Sequence, residues 1–167
     1  MPEKQTLARA RADKRQGKAP STQAGEFIKE EMDHIREGVH GARSAKQAIA
    51  IGLSKARRAG VDLPPPKSGK TSEATRKQAA RDLAKGRHAS ASSPSSKRSR
   101  ATLKALQRES TAAASPRALS RQAHAAAGGR SAAERSAAGR RASRTKGAAE
   151  RSAAAVKAAH TRASHPA

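Results

Sequence analysis

Large apolar side chains are concentrated in one stretch of the chain. Residues 25–63 hold Phe27, Ile28, Met32, Ile35, Val39, Ile49, Ile51, Leu53, Val61 and Leu63, ten in 39 positions; the 104 residues from Pro64 onward hold Leu83, Leu103, Leu106, Leu119 and Val156. Ile28, Met32, Ile35 and Val39 recur at i, i+4, i+7 and i+11, so the spacing predicts a helix over about 25–37 with a single apolar stripe. Glu30, Asp33 and Glu37 fall on another face, and Gly38 and Gly41 end the segment.

A second helix is predicted by "SAKQAIAIGLSKARRAG", residues 44–60. Ser44 with Gln47 three residues on is the pairing of a capping box, and Gly60 stands where a left-handed C-terminal cap belongs. The run "LPPP" then blocks continuation. Ile49, Leu53 and Ala56 form the stripe, flanked by Ala45, Ala48 and Gly52, while Ile51 points elsewhere. Two helices joined by about six residues fold back as a hairpin. The small Ala48 and Gly52 allow close approach, and an acidic first helix faces a basic second one. Ile28, Met32, Ile35, Val39, Ile49, Ile51 and Leu53 are the expected packing residues. Ile51 leaves self-association as a homodimer open.

Beyond Pro64 the pattern weakens into helix-prone pieces. "TSEATRKQAARDLAKG" has a Ser72 cap and Gly86 as a stop; "SPRALSRQAHAAAGG" has Ser115, Pro116 at the first helical position and two closing glycines. "AAERSAA" occurs at 132–138 and again at 148–154. Ser131 with Glu134 offers another capping box.

Composition lowers the expected order. Tyr, Trp and Cys are absent, Phe27 is the one aromatic residue, and the 35% hydrophobic share is mostly alanine. At about 25 cal/mol per Å² of apolar surface, alanine burial falls short of a backbone ordering cost of about 1–2 kcal/mol per residue. The expected fold is a mostly disordered chain of all-α type, with a helical hairpin at about 25–60 and a low-complexity basic tail of short, transient helices. The division is a basic disordered arm at 1–24, the hairpin unit at 25–63, a Pro/Gly linker at 64–71, and an Ala/Ser/Arg-rich tail at 72–167.

Charge supplies the functional expectation. Thirty-six Lys and Arg face 13 Asp and Glu, a net charge of +23. Residues 1–67 carry 14 basic and 8 acidic groups, and residues 68–167 carry 22 and 5. Such an excess seeks a polyanion. Arg43, Lys46, Lys55, Arg57 and Arg58 make the basic side of the second helix. Lys97, Arg98, Arg100, Arg130, Arg135, Arg140, Arg141, Arg144, Lys146 and Arg151 recur along the tail. Cations interleaved with alanine, without aromatic platforms for stacking, suit duplex backbone contact. Double-stranded DNA is therefore the expected partner, with RNA as the alternative. In a rival reading the 44–60 helix is a protein-interaction adaptor and the tail only localises it.

Other chemistries find little support. "PPKSGKTSE" ends like a phosphate-binding loop, but Pro64 stands where its first glycine is needed. His34 and His40, with Glu30 and Glu37, match no closed zinc spacing and read as a solvated helix face. No serine has an assignable base and orienting carboxylate. Neither enzymatic activity nor a cofactor is expected. "RRAS" at 140–143 looks like a basophilic kinase site, a match that arises readily by chance in such sequence. The first 17 residues have no apolar core of a secretory signal, and no run of 18 apolar residues suggests a membrane span. A bacterial cytoplasmic location on the nucleoid is the expectation.

Residues 21–67, and the phrase 44–60 above all, resemble a family of short basic bacterial proteins containing a domain of unknown function. The tail looks like the Ala/Lys/Arg-rich extensions of that family and of bacterial histone-like proteins. "ASSPSSKRSR" and "ASPRA" resemble linker-histone tail phrases. The resemblance implies no particular activity.

Overall fold

The computed structural model describes residues 2–88, 95–145 and 147–164. In chain order the elements are α1 (Lys4–Arg15), α2 (Pro20–Arg36), α3 (Ala45–Arg58), α4 (Glu73–Arg87), α5 (Ser96–Leu106), a 3-10 turn η1 (Thr111–Ala114), α6 (Pro116–Gly128), α7 (Ala132–Thr145) and α8 (Ala148–Ser164). There is no strand among the described residues. The chain divides into two compact units, residues 1–122 and 123–167.

In the first unit α3 packs its Ala48 and Gly52 against Ile28, Met32 and Ile35 of α2. A Cβ placed on Gly52 would lie 2.8 Å from the Ile28 Cα, so the two backbones meet at a distance that only glycine permits. Ser44 Oγ accepts from the Gln47 amide at 3.2 Å, and Gln47 Oε1 accepts from the Arg43 amide at 2.8 Å, tying down the start of α3. Gly60, with φ +90°, ends it: the Val61 amide reaches Ala56 O and the Gly60 amide reaches Arg57 O, both at 3.1 Å. This is the Schellman pattern.

Two apolar clusters hold the unit. Met32, Ile35, Ala42, Ala48, Ala113 and Ala114 form one, with Ile28, Ile49 and Leu119 against it. Ala10, Ala24, Phe27, Ala56 and Val61 form the other, with Leu7, Leu53 and Leu63. Both draw on parts of the chain outside the hairpin. α1 contributes Leu7 and Ala10, so residues 4–15 are a docked helix and not a disordered arm. α4 packs on α3, with Gly86 against the Arg57 carbonyl at the α3 C-terminus; that contact, rather than a helix stop, explains the glycine. The 106–114 segment is pinned by the Gly41 amide to Leu106 O (2.9 Å) and the Ala42 amide to Ser110 O (3.1 Å), while Arg36 Nε donates to Ala114 O at 3.3 Å.

The mostly disordered chain with a tail of transient helices is thus overturned. Helices cover most of the described length, and the packed unit runs to residue 122 rather than ending before Pro64. The physical reason lies in alanine and glycine. They bury little area each, but they let backbones come close enough for dispersion and main-chain hydrogen bonds to supplement it. Val39 also departs from expectation: it lies past the end of α2 and is exposed, outside both clusters. Ile51 is half-buried and belongs to neither cluster.

The second unit has no buried side chain among its described residues. Its helices rest on local signals. Ser131 and Glu134 exchange reciprocal bonds, amide to Oε2 at 2.9 Å and amide to Oγ at 3.1 Å, a complete capping box at the start of α7. The second "AAERSAA" opens α8 with Gly147 in place of the serine, so it lacks the hydroxyl half of that box. Alanine and arginine are strong helix formers, and helices of 14 and 17 residues reach the length of about 12–15 at which isolated helices become viable.

Candidate nucleic-acid interface

The basic residues sort into those used inside the fold and those left facing solvent. Lys55 belongs to the first group: its Nζ lies 2.7 Å from Glu31 Oε2 and 3.6 Å from Glu30 Oε1, with both carboxylates buried. Arg57 is buried too. Its Nε donates to Leu63 O at 3.1 Å and a terminal nitrogen to Pro64 O at 3.4 Å, fastening the Pro-rich segment back onto α3. Burial lowers the pKa of its guanidinium, partly opposed by the field of Asp82. Arg58 Nε donates to Asp82 Oδ1 at 2.7 Å, joining α3 to α4. Three of the five cations expected to form the basic side of the second helix therefore hold the unit together.

These contacts complete the geometry of the hairpin and the segment that closes it. Residues 19–68 match the model of a family of unknown function (DUF6496). No curated protein and no solved structure matches the chain. The DUF6496 segment takes in α2, α3 and the Pro-rich closure, so the Glu30–Glu31–Lys55 cluster and the Arg57 clasp both lie within it. Of its remaining candidate cations, Lys46 is exposed, and Arg43 is largely exposed with only a 3.9 Å contact to Glu109. Such a surface pair contributes little.

His34 and His40 do not share a solvated face with Glu30 and Glu37. Glu30 and His40 are buried, Glu37 is exposed, and His34 is half-buried. Lys55 supplies positive charge opposite both carboxylates, which is why a face that reads as acidic can turn inward.

Outside the DUF6496 segment more of the cations face solvent, although Arg76 pairs with Glu73 and Arg87 with Asp62. α4 buries Ala79, Asp82 and Leu83 and turns Lys77, Arg81 and Lys85 outward at i, i+4 and i+8, with no carboxylate partner among the described residues. This stripe was not among the expected contacts, although its spacing in "RKQAARDLAK" carries the signal. α5 has no buried residue. Lys97, Arg100 and Lys104 follow i, i+3 and i+7 along one of its faces, with Arg98 beside them and all four exposed. In the second unit Arg130, Arg135, Arg140, Arg141 and Arg151 are exposed. Arg135 donates to Arg130 O at 2.6 Å and Arg151 to Ser143 O at 3.3 Å. Lys146 and the side chain of Arg144 lie outside the described residues.

Four residues of α-helix advance about 6 Å, close to two phosphate steps of about 3.4 Å each on one DNA strand. Cations spaced by four residues therefore recur on the same length scale as the phosphate charge along a duplex axis. Among the described residues no helix is long and apolar enough to cross a membrane.

Proposed function

We propose that this chain is a non-enzymatic, nucleoid-associated protein that binds duplex DNA by neutralising phosphates, largely without reading sequence. What supports the reading is the segregation of its charge. Lys55, Arg57 and Arg58 of the hairpin are taken up by carboxylates and carbonyls inside the fold, whereas Lys77, Arg81 and Lys85 of α4 and Lys97, Arg98 and Lys104 of α5 face solvent, and the described arginines of the second unit are exposed. Residues 123–167 alone carry nine basic and two acidic residues. The hairpin is the scaffold, and the binding surface is distributed over the helices that follow it. RNA contact through the same cations is the alternative outcome.

The α4 stripe gives a sharp test. Changing Lys77, Arg81 and Lys85 together to Gln leaves helix propensity nearly unaltered and touches none of the buried residues. Each phosphate contact contributes about 0.9 to the slope of log K against log salt. If all three touch phosphates, the slope for a duplex becomes shallower by about 2–3 units. An unchanged slope with an unchanged circular dichroism spectrum removes α4 from the interface.

A further inference from the structure

A second cluster of polar side chains lies at the C-terminal end of α2, away from the outward cations. Glu31 and His34 stand at i and i+3, on one face of the helix. Gly38, with φ +74°, turns the chain so that His40 comes back over that face. The ligand atoms of Glu31, His34 and His40 all lie within 4.8 Å of one another.

Their hydrogen bonds orient both rings. His40 Nδ1 is 3.1 Å from Gly41 O; a carbonyl only accepts, so the proton sits on Nδ1. Nε2 of the neutral ring then presents a lone pair to Glu31 Oε1, 3.5 Å away. Two acceptors face one another, and Glu31 Oε1 is fully buried without a hydrogen bond. His34 Nε2 is 3.1 Å from Glu3 Oε1, which places its proton there and leaves Nδ1 as the donor atom for a cation. A carboxylate or carbonyl behind each ligating imidazole is the usual support of a protein metal centre.

We propose that Glu31, His34 and His40 form a three-ligand site for a divalent first-row cation of the zinc class. Two imidazole nitrogens and one carboxylate oxygen suit zinc, with bonds of about 2.0–2.2 Å and a fourth, tetrahedral position left to water. In a tetrahedral site with such bonds the ligand atoms stand about 3.3–3.5 Å apart, so a spread of up to 4.8 Å must close by as much as about 1.5 Å. Lys55 and Glu30 also face Glu31. Lys55 occupies Oε2, on the carboxylate's other oxygen, so Oε1 stays available to the cation. A cleft whose charged lining is Glu3, Glu30, Asp33 and Glu37 with Arg9 and Lys29 reaches the His34 edge and opens the site to solvent. The competing occupant of the same gap is a proton on His40, making an imidazolium against Glu31.

The full-length chain, stripped with a chelator, is titrated with Co²⁺ and then Zn²⁺. The site predicts a visible ligand-field band that saturates at one Co²⁺ per chain and is displaced by Zn²⁺. In the unmodified protein, imidazole NMR signals of His34 and His40 shift together, ahead of those of His88, His124 and His160. Glu3→Gln, which weakens the support of His34 and removes one charge from the cleft, weakens binding about 10–100-fold. His40→Ala abolishes the band, while His124→Ala leaves it intact. Absence of a saturable band, or shifts spread evenly over all histidines, overturns the proposal, and the NMR arm needs no variant to remain folded.

Discussion

Replacing Lys55 with methionine destabilises the first unit by about 3–5 kcal/mol, the cost of leaving a buried charge without its partner. Glu31 is fully buried and Glu30 nearly so, at 0% and 4% exposure. Lys55 is the cation that faces both. Methionine fills much the same volume, so the loss isolates the charge rather than a cavity. The effect falls toward the lower end of the range, because a quarter of the lysine side chain remains in contact with solvent. Urea unfolding followed by helical circular dichroism should show the midpoint falling at constant m-value. Hydrogen exchange of the α3 amides reads the same loss for this unit alone. Changing Glu30 and Glu31 to Gln in the Lys55→Met background should recover more than half of it, since no net charge is then buried. A cost below about 1 kcal/mol for Lys55→Met would mean that this cluster is effectively solvated.

The second large effect is on affinity. If six to ten of the outward cations each displace a counterion from duplex DNA, raising salt from about 50 to 200 mM weakens binding by roughly 10³–10⁵-fold. The corresponding slope is about −9 for ten contacts. The first unit and the second both contribute, because exposed cations without carboxylate partners occur in α4 and α5 as well as beyond residue 123. Lys55 and Arg57 do not contribute, being engaged inside the fold. A slope near −2, measured by fluorescence anisotropy on a short duplex, would reduce the interface to a few incidental contacts.

Periodicity and capping made α2 and α3 legible: the 28–32–35 spacing, the Ser44–Gln47 pair and the Gly60 terminus are all local signals. The close approach at Gly52 was legible as well, since a glycine inside an apolar stripe has few other uses. What could not be read was which segments outside the hairpin pack onto it, and which of its charges are buried. Leu7 and Ala10 look like part of a polar arm until Ala24 and Phe27 are placed beneath them. Ala113 and Ala114 look like low-complexity sequence until they close over Met32 and Ile35. Glu30 reads as solvated because a carboxylate is ordinarily exposed; Lys55, reaching it and Glu31 from α3, accounts for the burial of both. The basic candidates suffered the converse error. Net charge is a property of the whole chain and does not distinguish Arg57, clasped by two carbonyls, from Lys77, which faces water.

The most direct test is competition for one labelled 20-base-pair duplex at low salt. A chain that neutralises phosphates releases the label equally well to an unlabelled duplex of unrelated sequence and to the identical one. If the chain fails to bind the duplex, or if only the identical sequence displaces it, distributed phosphate contact is not how this protein works.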